Sequence, residues 1–323
     1  MKLQDIYRNY RRDLRLIEKE LGKSIRTEHR QLNQSAAHLL DAGGKRMRPV
    51  FVLLAGKFGD YDIQRLKNVA VPLELIHMAS IVHDDVIDDA ATRRGKQTVK
   101  AKWDNRIAMY TGDYIFARAL TIASRIDNPE VHRVLARSMM EMCQGEIEQI
   151  RDFFDENQSL IRYLQRIKKK TALLMSVSCQ LGGLVSGASP EHVRRLRLYG
   201  YYVGMAFQIT DDVLDIVGDE KILGKPSGSD LRQGNVTLPV IYVLQRGSEE
   251  DRRQILEYLR TKGQRDSIED ILQGIRTSDG IDYAHALADR YLKKAYAVLT
   301  RLPQGKARDS LQLIAEFVGR RNY

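Results

Sequence analysis

The stretch His83-Asp84-Asp85-Val86-Ile87-Asp88-Asp89 closes a long apolar segment that starts near Ile63. The helical period of this segment predicts one long helix, in which residues four apart share a face. Asp84 and Asp88 should therefore point in the same direction. Crowded carboxylates repel each other, and they cost free energy unless a cation neutralises them.

A second copy of this acidic pattern lies far downstream. The segment Gln208-Ile209-Thr210-Asp211-Asp212-Val213-Leu214-Asp215 repeats the DDxxD spacing inside another apolar helical stretch. Two facing helices of this kind would offer hard oxygen ligands that suit Mg²⁺, with positions left open for substrate phosphates. We interpret the pair as a metal–diphosphate site. A single copy could equally be a solvated acidic patch or a set of helix caps, and the second copy weighs against that alternative.

The composition predicts an all-α protein. The 323 residues include only seven prolines, and hairpin dipeptides are scarce. No linker rich in Pro, Gly or Ser divides the chain, so we expect a single domain over 1–323. Cys143 and Cys179 lie in helical patterns without metal-ligand spacing, which predicts reduced core thiols in a cytosolic protein. The first residues lack the apolar core of a signal peptide, so we expect a cytoplasmic location.

Amphipathic patterns predict helices over 3–21, about 32–42, 282–299 and 306–319. Asn128 and Ser248 have the sequence context of helix N-caps. The polar loop 223–231 follows the second acidic motif and is too long for a tight turn, which is typical of a lid beside a site.

Basic clusters recur near the acidic motifs. The loop Gly43-Gly44-Lys45-Arg46-Met47-Arg48-Pro49 combines two glycines with three cations, which suits close approach to a phosphate group, although an ordinary basic loop is the alternative. His77 lies two helical turns before Asp84 on the same face. The net charge of +10 would allow nucleic acid, acidic membrane or anionic small molecules as partners. No nucleic-acid recognition motif is present, so we expect none of that class.

Together these motifs resemble the trans-isoprenyl diphosphate synthases, over nearly the whole length of the chain. The matching segments are GGKRMRP at 43–49, HDDVIDDAATRRG at 83–95, GD at 112–113, KKTA at 169–172, FQITDDVLD at 207–215 and GKPSGSDLRQGNVTLP at 224–239. The resemblance implies the isoprenoid synthase fold, a helical bundle around a deep cavity. It also implies condensation of an allylic diphosphate, farnesyl diphosphate being expected, with successive isopentenyl diphosphates. Gln97 and Asn235 depart from the residues common in relatives, which leaves fine substrate handling open.

The resemblance also assigns roles residue by residue. It implies three Mg²⁺ ions per active site, with direct ligation by Asp84, Asp88 and Asp211 and support from Asp85, Asp212, Asp215 and Asp230. The isopentenyl diphosphate group would be bound by Lys45, Arg48, His77 and Arg94. The allylic diphosphate would be bound by Arg93, Lys170, Thr171, Gln208 and Lys225. Lys170 and Gln208 thereby join the three direct metal ligands as catalytic residues.

We expect the product to grow down a cavity lined by the helix that precedes Asp84, so that side chains of this helix limit its length. Ala79 and Ser80 lie about one turn upstream and are small, which leaves the cavity open for a medium or long product, and Ile76 lies at the next turn. The resemblance implies a heptaprenyl product for a menaquinone side chain, and a small non-catalytic partner subunit. A self-sufficient homodimer with another product length remains open, and so does peripheral membrane contact for product release. A terpene cyclase or a non-catalytic basic binding protein are the alternatives of other classes.

Overall fold

The computed structural model of the chain describes residues 3–93, 95–218, 226–264 and 268–320. The prediction of an all-α protein is confirmed: these ranges contain seventeen α-helices, one π-helical turn and one two-stranded ribbon. The elements, in chain order, are α1 Leu3–Asn9, α2 Arg11–Ser24, α3 Arg30–Asp41, α4 Met47–Gly56, α5 Ile63–Ile87, β1 Thr92–Arg93, β2 Lys96–Gln97, α6 Val99–Lys102, α7 Asn105–Ala123, α8 Pro129–Arg151, α9 Leu160–Ile167, the π-turn Lys168–Ala172, α10 Leu173–Val185, α11 Pro190–Val217, α12 Ser229–Arg232, α13 Leu238–Arg246, α14 Glu249–Arg260, α15 Ile268–Thr277, α16 Gly280–Leu299 and α17 Lys306–Gly319.

The chain forms two compact units. The first contains residues 1–136, 174–197 and 302–313, and the second contains residues 137–173, 198–301 and 314–323. The first acidic motif and the basic loop 43–49 belong to the first unit, whereas the second acidic motif belongs to the second unit. A single domain over the whole chain stays a prediction.

Helix α5 is the centre of the first unit, where it packs mainly against α7 and α4. Asp62 caps its start, because the side chain accepts a 2.8 Å hydrogen bond from the backbone N–H of Gln64. The residues from Val69 to Ile76 are all buried, so this helix has no solvent-facing stripe in that part. A helix that is apolar on every side must be surrounded by other helices, and this burial fixes the position of the acidic motif at its C-terminal end.

In the second unit, α13 packs against α14 and α16. The predicted N-cap at Ser248 is confirmed, since its hydroxyl accepts a 3.1 Å hydrogen bond from the N–H of Asp251. The N-cap predicted at Asn128 is also confirmed, by a 3.0 Å bond from the N–H of Glu130. Across the described residues, no helix combines the length and the apolarity that crossing a membrane requires.

Two predictions made from the sequence differ from the structure. The helix expected over 3–21 is interrupted at Tyr10, which leaves the helical region and separates α1 from α2. The ammonium of Lys57 lies 5.9 Å from the Tyr10 ring, a tertiary contact that periodicity does not reveal.

The prediction that both cysteines are core thiols is wrong for Cys143, which is exposed, while Cys179 is buried. Cys143 lies on a face of α8 where the apolar side chain of Ile147 is exposed as well.

Candidate active site

The first acidic motif lies at the C-terminal end of α5, where its carboxylates are divided between two environments. Asp84 and Asp88 are half-buried, whereas Asp85 is 2% exposed. Arg93 Nε donates a 2.7 Å hydrogen bond to Asp85 Oδ1. Burial raises the pKa of Asp85 and the adjacent Arg93 opposes that rise. The helix therefore presents Asp84 and Asp88 on an accessible face, as the spacing predicted, and holds Asp85 behind them.

A short antiparallel ribbon, β1–β2, follows the motif and carries Arg93. Thr98 Oγ1 donates to the Ala90 carbonyl at 2.7 Å, which closes the base of the ribbon. A side-chain nitrogen of His38, Nε2, lies 2.8 Å from the carbonyl oxygen of Gln97, and this contact joins the ribbon to α3. These contacts explain how Arg93 is held over Asp85. Arg94 lies outside the described residues.

The basic loop 43–46 leads into α4 and uses two left-handed backbone conformations, at Gly43 (φ 73°) and Arg46 (φ 48°). Tyr7 of α1 donates a 2.6 Å hydrogen bond to the Lys45 carbonyl. Lys45 is exposed, and Arg48 follows in the first turn of α4. The loop is therefore fixed by a helix from the start of the chain.

A concave pocket opens beside this loop. We call it the basic-loop cavity. Its lining includes Gly43 and Arg46 from the loop, Glu74 and His77 from α5, and Arg93 from the ribbon. Of the residues assigned to diphosphate binding, His77 and Arg93 thus share one concave surface with Gly43 and Arg46, whereas Lys45 and Arg48 are not among its lining residues.

The Gly112–Asp113 pair of α7 makes room for the His83 ring that precedes the acidic motif. A Cβ atom on Gly112 would lie 2.2 Å from His83 Nε2. His83 Nε2 also lies 3.3 Å from Asp113 Oδ1. A side chain at residue 112 would therefore displace the His83 ring from this position.

In the second unit, a chain of hydrogen bonds links the second acidic motif to the π-turn. Thr171 Oγ1 donates to Gln208 Oε1 at 2.6 Å, and Gln208 Nε2 donates to Asp212 Oδ1 at 2.7 Å. The hydroxyl of Tyr163 donates to the other oxygen, Asp212 Oδ2, at 2.7 Å. Thr171 and Gln208, both predicted to bind the allylic diphosphate, are therefore direct neighbours.

Asp212 is 3% exposed, and its surroundings disfavour the ionised form. Burial raises its pKa to about 8, with a further contribution from Asp230, while the bonds from Tyr163 and Gln208 act in the opposite direction. Burial also raises the pKa of Tyr163 well above its usual value, so this hydroxyl keeps its proton and remains a donor.

The π-turn Lys168–Ala172 is packed tightly between two glycines. A Cβ atom on Gly145 of α8 would lie 2.7 Å from Lys169 Cβ, and one on Gly204 of α11 would lie 2.6 Å from the Ala172 Cα. Lys170 Nζ lies 3.3 Å from Glu146 Oε2 and Lys169 Nζ lies 2.5 Å from Glu148 Oε1. π-turns are rare overall. Those that occur are often found at functional sites, because the extra residue redirects side chains.

The last carboxylates of the site meet where α11 ends. Asp215 is buried, and the backbone N–H of Asp230 donates a 3.0 Å hydrogen bond to its Oδ2. Ser227 Oγ, on the segment that leads to Asp230, accepts a 2.7 Å hydrogen bond from Arg276 Nη2. Lys225 and residues 223–225 of the expected lid lie outside the described residues, and the described part, 226–231, is anchored by these bonds.

The donors suit a hard divalent cation. In the first unit, Asp84 and Asp88 are half-buried and Asp85 is buried. In the second unit, Asp211 is half-buried and Asp212 and Asp215 are buried. The raised pKa values of Asp85 and Asp212 indicate carboxylates that a nearby positive charge would stabilise. Among the described residues, no three carboxylate, thiol or imidazole side chains are already gathered as a metal-binding group. Ions held here would therefore draw further ligands from substrate and water.

The side chains expected to set product length lie as predicted along α5. Ile76 and Ala79 are fully buried. Ser80 is half-buried, and its hydroxyl donates to the His77 carbonyl at 2.9 Å.

Several residues of the site escaped the sequence analysis. Tyr163 has no motif of its own and is recognised only by its bond to Asp212. Arg166 is 5% exposed and donates to the Val236 carbonyl at 2.6 Å. Glu74 is also buried, and its position three residues before His77 on a helical face was the available signal.

Comparison with known proteins gives consistent results. The family described as Polyprenyl synthetase matches residues 29–275. Heptaprenyl diphosphate synthase component 2 of Geobacillus stearothermophilus is 52% identical over all 323 residues, which cover 100% of both chains. The crystal structure of heptaprenyl diphosphate synthase from Staphylococcus aureus superposes with a TM-score of 0.88 at 40% identity, covering 97% of this chain and 98% of that one. Polyprenyl synthase from Caulobacter crescentus, complexed with calcium and isoprenyl diphosphate, gives a TM-score of 0.94 at 29% identity, with coverage of 99% and 98%.

Proposed function

The chain belongs to the polyprenyl synthetase family, and from this premise we propose that it is a Mg²⁺-dependent trans-prenyltransferase that makes heptaprenyl diphosphate. The proposal is supported above all by the similarity to heptaprenyl diphosphate synthase component 2, at 52% identity over the full length. The substrates would be an allylic diphosphate, farnesyl diphosphate in the simplest case, and several isopentenyl diphosphates. A menaquinone side chain is the proposed destination of the product.

Asp84, Asp88 and Asp211 are the residues we assign to direct Mg²⁺ binding, with three ions per active site. Their half-buried positions support this choice over Asp85 and Asp212, which are buried and hydrogen-bonded to Arg93 and Tyr163. When bound, Mg²⁺ would neutralise the diphosphate and stabilise the negative charge of the leaving group.

The basic-loop cavity is the proposed binding site of isopentenyl diphosphate. Lys45, Arg48 and His77 would bind its diphosphate, and the sequence resemblance adds Arg94. An arginine can donate two parallel hydrogen bonds to phosphate oxygens, whereas lysine acts as a point charge. The backbone of the loop is held by the bond from Tyr7 to the Lys45 carbonyl, so less main-chain ordering is needed on binding.

The predicted ligands of the allylic diphosphate in the second unit are Lys170, Thr171 and Gln208, and the sequence resemblance adds Lys225 and, from the first unit, Arg93. The hydrogen bond between Thr171 and Gln208 supports a shared binding surface. These residues would bind and orient the leaving diphosphate. Positive charge placed where negative charge develops in the transition state is a principal means of lowering the activation barrier.

The reaction needs no protein nucleophile. The C–O bond of the allylic diphosphate breaks, the double bond of isopentenyl diphosphate supplies electrons for the new C–C bond, and a proton leaves the adjacent carbon. No Ser, Cys or His arranged for nucleophilic attack was found in the sequence. The released diphosphate is the proposed acceptor of that proton, and the protein's part is to hold both substrates and to exclude water.

We also propose a small non-catalytic partner subunit. The word component in the name of the 52% identical relative supports it. So do the exposed apolar side chains of α8, where Met140 is 61% exposed and Ile147 is 68% exposed. Large exposed apolar residues on one helix face are typical of a protein contact surface. A self-sufficient homodimer would use the same surface and is the second candidate assembly.

Transfer of label from isopentenyl diphosphate into a prenyl chain tests the proposed function. The protein would be incubated with Mg²⁺, farnesyl diphosphate and labelled isopentenyl diphosphate, both alone and with extract of the source cells. We expect extractable labelled product that requires Mg²⁺ and is abolished by chelation and by Asp84→Asn. Glu20→Gln, which changes a carboxylate paired only locally with Lys23 of the same helix, is the matched control and should keep full activity. Absence of product under every condition would contradict the proposal.

A further inference from the structure

Arg46 is one of three cations in the basic loop, yet two glutamates already engage its guanidinium. Its Nε and Nη2 atoms each donate a 2.9 Å hydrogen bond to the carboxylate of Glu18 in α2. Its Nη1 atom donates at 3.2 Å to Glu74 Oε1 in α5. This bidentate pair and the third bond use every nitrogen of the guanidinium group.

The charges of this cluster do not favour an anion. Two carboxylates face one guanidinium, so the cluster of Glu18, Arg46 and Glu74 carries a net negative charge. The Glu74 side chain is only 4% exposed, and both Glu74 and Arg46 line the basic-loop cavity. Without Arg46, the buried Glu74 carboxylate would lie uncompensated beside the diphosphate, which like-charge repulsion disfavours.

The backbone at Arg46 needs the same contacts. Its φ of 48° and ψ of 38° lie in the left-handed region, which non-glycine residues rarely adopt. Strained conformations of this kind persist when surrounding contacts determine them, and they are common at ligand sites. Here the contacts come from Glu18 and Glu74 on the side chain and from Tyr7 on the neighbouring Lys45 carbonyl.

Tyr7 belongs to the same cluster. Its hydroxyl lies 2.6 Å from the Lys45 carbonyl oxygen and 3.0 Å from Met47 Sδ. It therefore contacts both the residue before Arg46 and the residue after it. Burial raises the pKa of Tyr7 to about 12, and the charge of Glu74 adds to the rise. The hydroxyl therefore stays protonated and keeps its hydrogen bond to the loop.

We propose that Arg46 is a positioning residue of the isopentenyl diphosphate pocket, held by Glu18 and Glu74 so that Lys45 and Arg48 on either side of it bind the diphosphate. The inference rests on the proposed function and adds a role for α1 and α2. Both helices precede residue 29, where the family match begins, so this support comes from outside the matched region.

Substitution of Glu18 distinguishes the positioning role of Arg46 from direct diphosphate binding by Arg46. The two roles predict opposite changes in the KM for isopentenyl diphosphate. If Arg46 bound the diphosphate itself, Glu18→Gln would release it and lower the KM for isopentenyl diphosphate. A positioning role predicts the opposite: a KM for isopentenyl diphosphate raised about threefold to tenfold, with the KM for farnesyl diphosphate within about twofold of wild type. Glu20→Gln in the same helix is the control and should change neither value.

A double-mutant cycle with Glu74 adds a readout that general damage to the fold would not reproduce. Arg46→Met should raise the KM for isopentenyl diphosphate about tenfold or more, and adding Glu74→Gln should recover several-fold of that loss. Recovery is expected because the second change removes the uncompensated carboxylate. Kinetics would be measured on the chain with any subunit that wild-type turnover requires, and calorimetric binding of isopentenyl diphosphate would give a value independent of turnover.

The outcomes distinguish a failure of the positioning role from a failure of the proposed function. Tighter isopentenyl diphosphate binding in Glu18→Gln, or an unchanged value there, would overturn the positioning role. Strictly additive effects of Arg46→Met and Glu74→Gln would also overturn it. If Arg46→Met fails to fold, the Glu18→Gln result decides alone, since the Glu18 side chain is 47% exposed and tolerates the change. Failure of the wild-type protein to bind isopentenyl diphosphate would overturn the proposed function and this inference with it.

Discussion

The hydroxyl of Tyr163 donates a 2.7 Å hydrogen bond to Asp212 Oδ2, and both side chains are buried. This bond ties α9 to the second acidic motif on α11. Because the other Asp212 oxygen accepts from Gln208, the carboxylate is held from both sides. The orientation of the motif therefore depends on a tyrosine 49 residues away in the sequence.

Tyr163→Phe should lower the free energy of unfolding by about 1–3 kcal/mol, because a buried oxygen of Asp212 loses its hydrogen-bond donor. Urea unfolding followed by circular dichroism would measure it. Tyr110→Phe is the control: Tyr110 is 66% exposed, and its change should stay within about 0.5 kcal/mol. Equal effects of the two substitutions would contradict the importance assigned to the Tyr163–Asp212 bond.

Gly204→Ala should destabilise the protein and impair its activity. A Cβ atom there would lie 2.6 Å from the Ala172 Cα, so α11 would have to move away from the π-turn that carries Thr171. Overpacking of this kind costs about 1–3 kcal/mol and outweighs the gain in helix propensity.

Gly22→Ala is the matched control for that measurement. Gly22 also lies in a helix, α2, but its nearest neighbour would be Leu40 Cδ2 at 3.8 Å, an ordinary contact. We expect stabilisation of up to about 1 kcal/mol, as alanine is the better helix former. Urea midpoints of both variants test the pair, and a stabilising Gly204→Ala would show that the close packing of the π-turn is not required.

Replacement of Ser80 by phenylalanine should shorten the product. Ser80 is half-buried one turn before the acidic motif, and a bulky ring there would block growth after about three or four isoprene units if one helical turn matches one unit. Ala79→Tyr should act in the same direction, with a stability cost because Ala79 is fully buried. Chromatography of the dephosphorylated products measures the change. Products of wild-type length from two folded variants would place the limit on chain length elsewhere.

A charge introduced into the exposed apolar face of α8 should prevent subunit association. Met140→Glu combined with Ile147→Glu would place two carboxylates where apolar side chains are 61% and 68% exposed. Light scattering should detect loss of the homodimer or of the complex with the partner subunit, while the fold is unchanged. Ile161→Glu is the control, since Ile161 is equally exposed at 69% but lies on α9. An assembly unaffected by the double change would exclude this face of α8.

Thiol labelling provides a further measurement of the same face. Cys143 is exposed on α8, whereas Cys179 is buried, and burial raises its pKa far above the usual range. The isolated native chain should react with one equivalent of a thiol reagent and the unfolded chain with two. Association through this face should protect Cys143. Two reactive thiols in the native chain would contradict the buried position of Cys179.

Local signals made much of this structure predictable. The length of α5 follows from an unbroken apolar segment, and the caps at Asn128 and Ser248 follow from side chains that bond to the next turn. The spacing of the acidic motifs required only helical geometry to place Asp84 and Asp88 on one face.

The remaining features depend on partners distant in sequence. In the sequence, Arg46 has the context of an anion ligand. The fold brings Glu18 and Glu74, each 28 residues away, into hydrogen-bond contact with its guanidinium. Tyr163 has no local signal at all. Cys143 was misassigned because an apolar helical face looks the same in sequence whether it meets the core or a partner surface. These features depend on tertiary structure, which periodicity does not encode.

Sizing of the prenyl product is the most direct test of whether the chain is a trans-prenyltransferase that makes heptaprenyl diphosphate. Protein, Mg²⁺, farnesyl diphosphate and labelled isopentenyl diphosphate would be incubated with and without extract of the source cells, and the dephosphorylated products separated by chromatography. A ladder that ends at heptaprenol is the predicted result. Activity in the chain alone would indicate the homodimer, and activity restored by extract would indicate the partner subunit. No prenyl product under either condition would contradict the assignment as a trans-prenyltransferase.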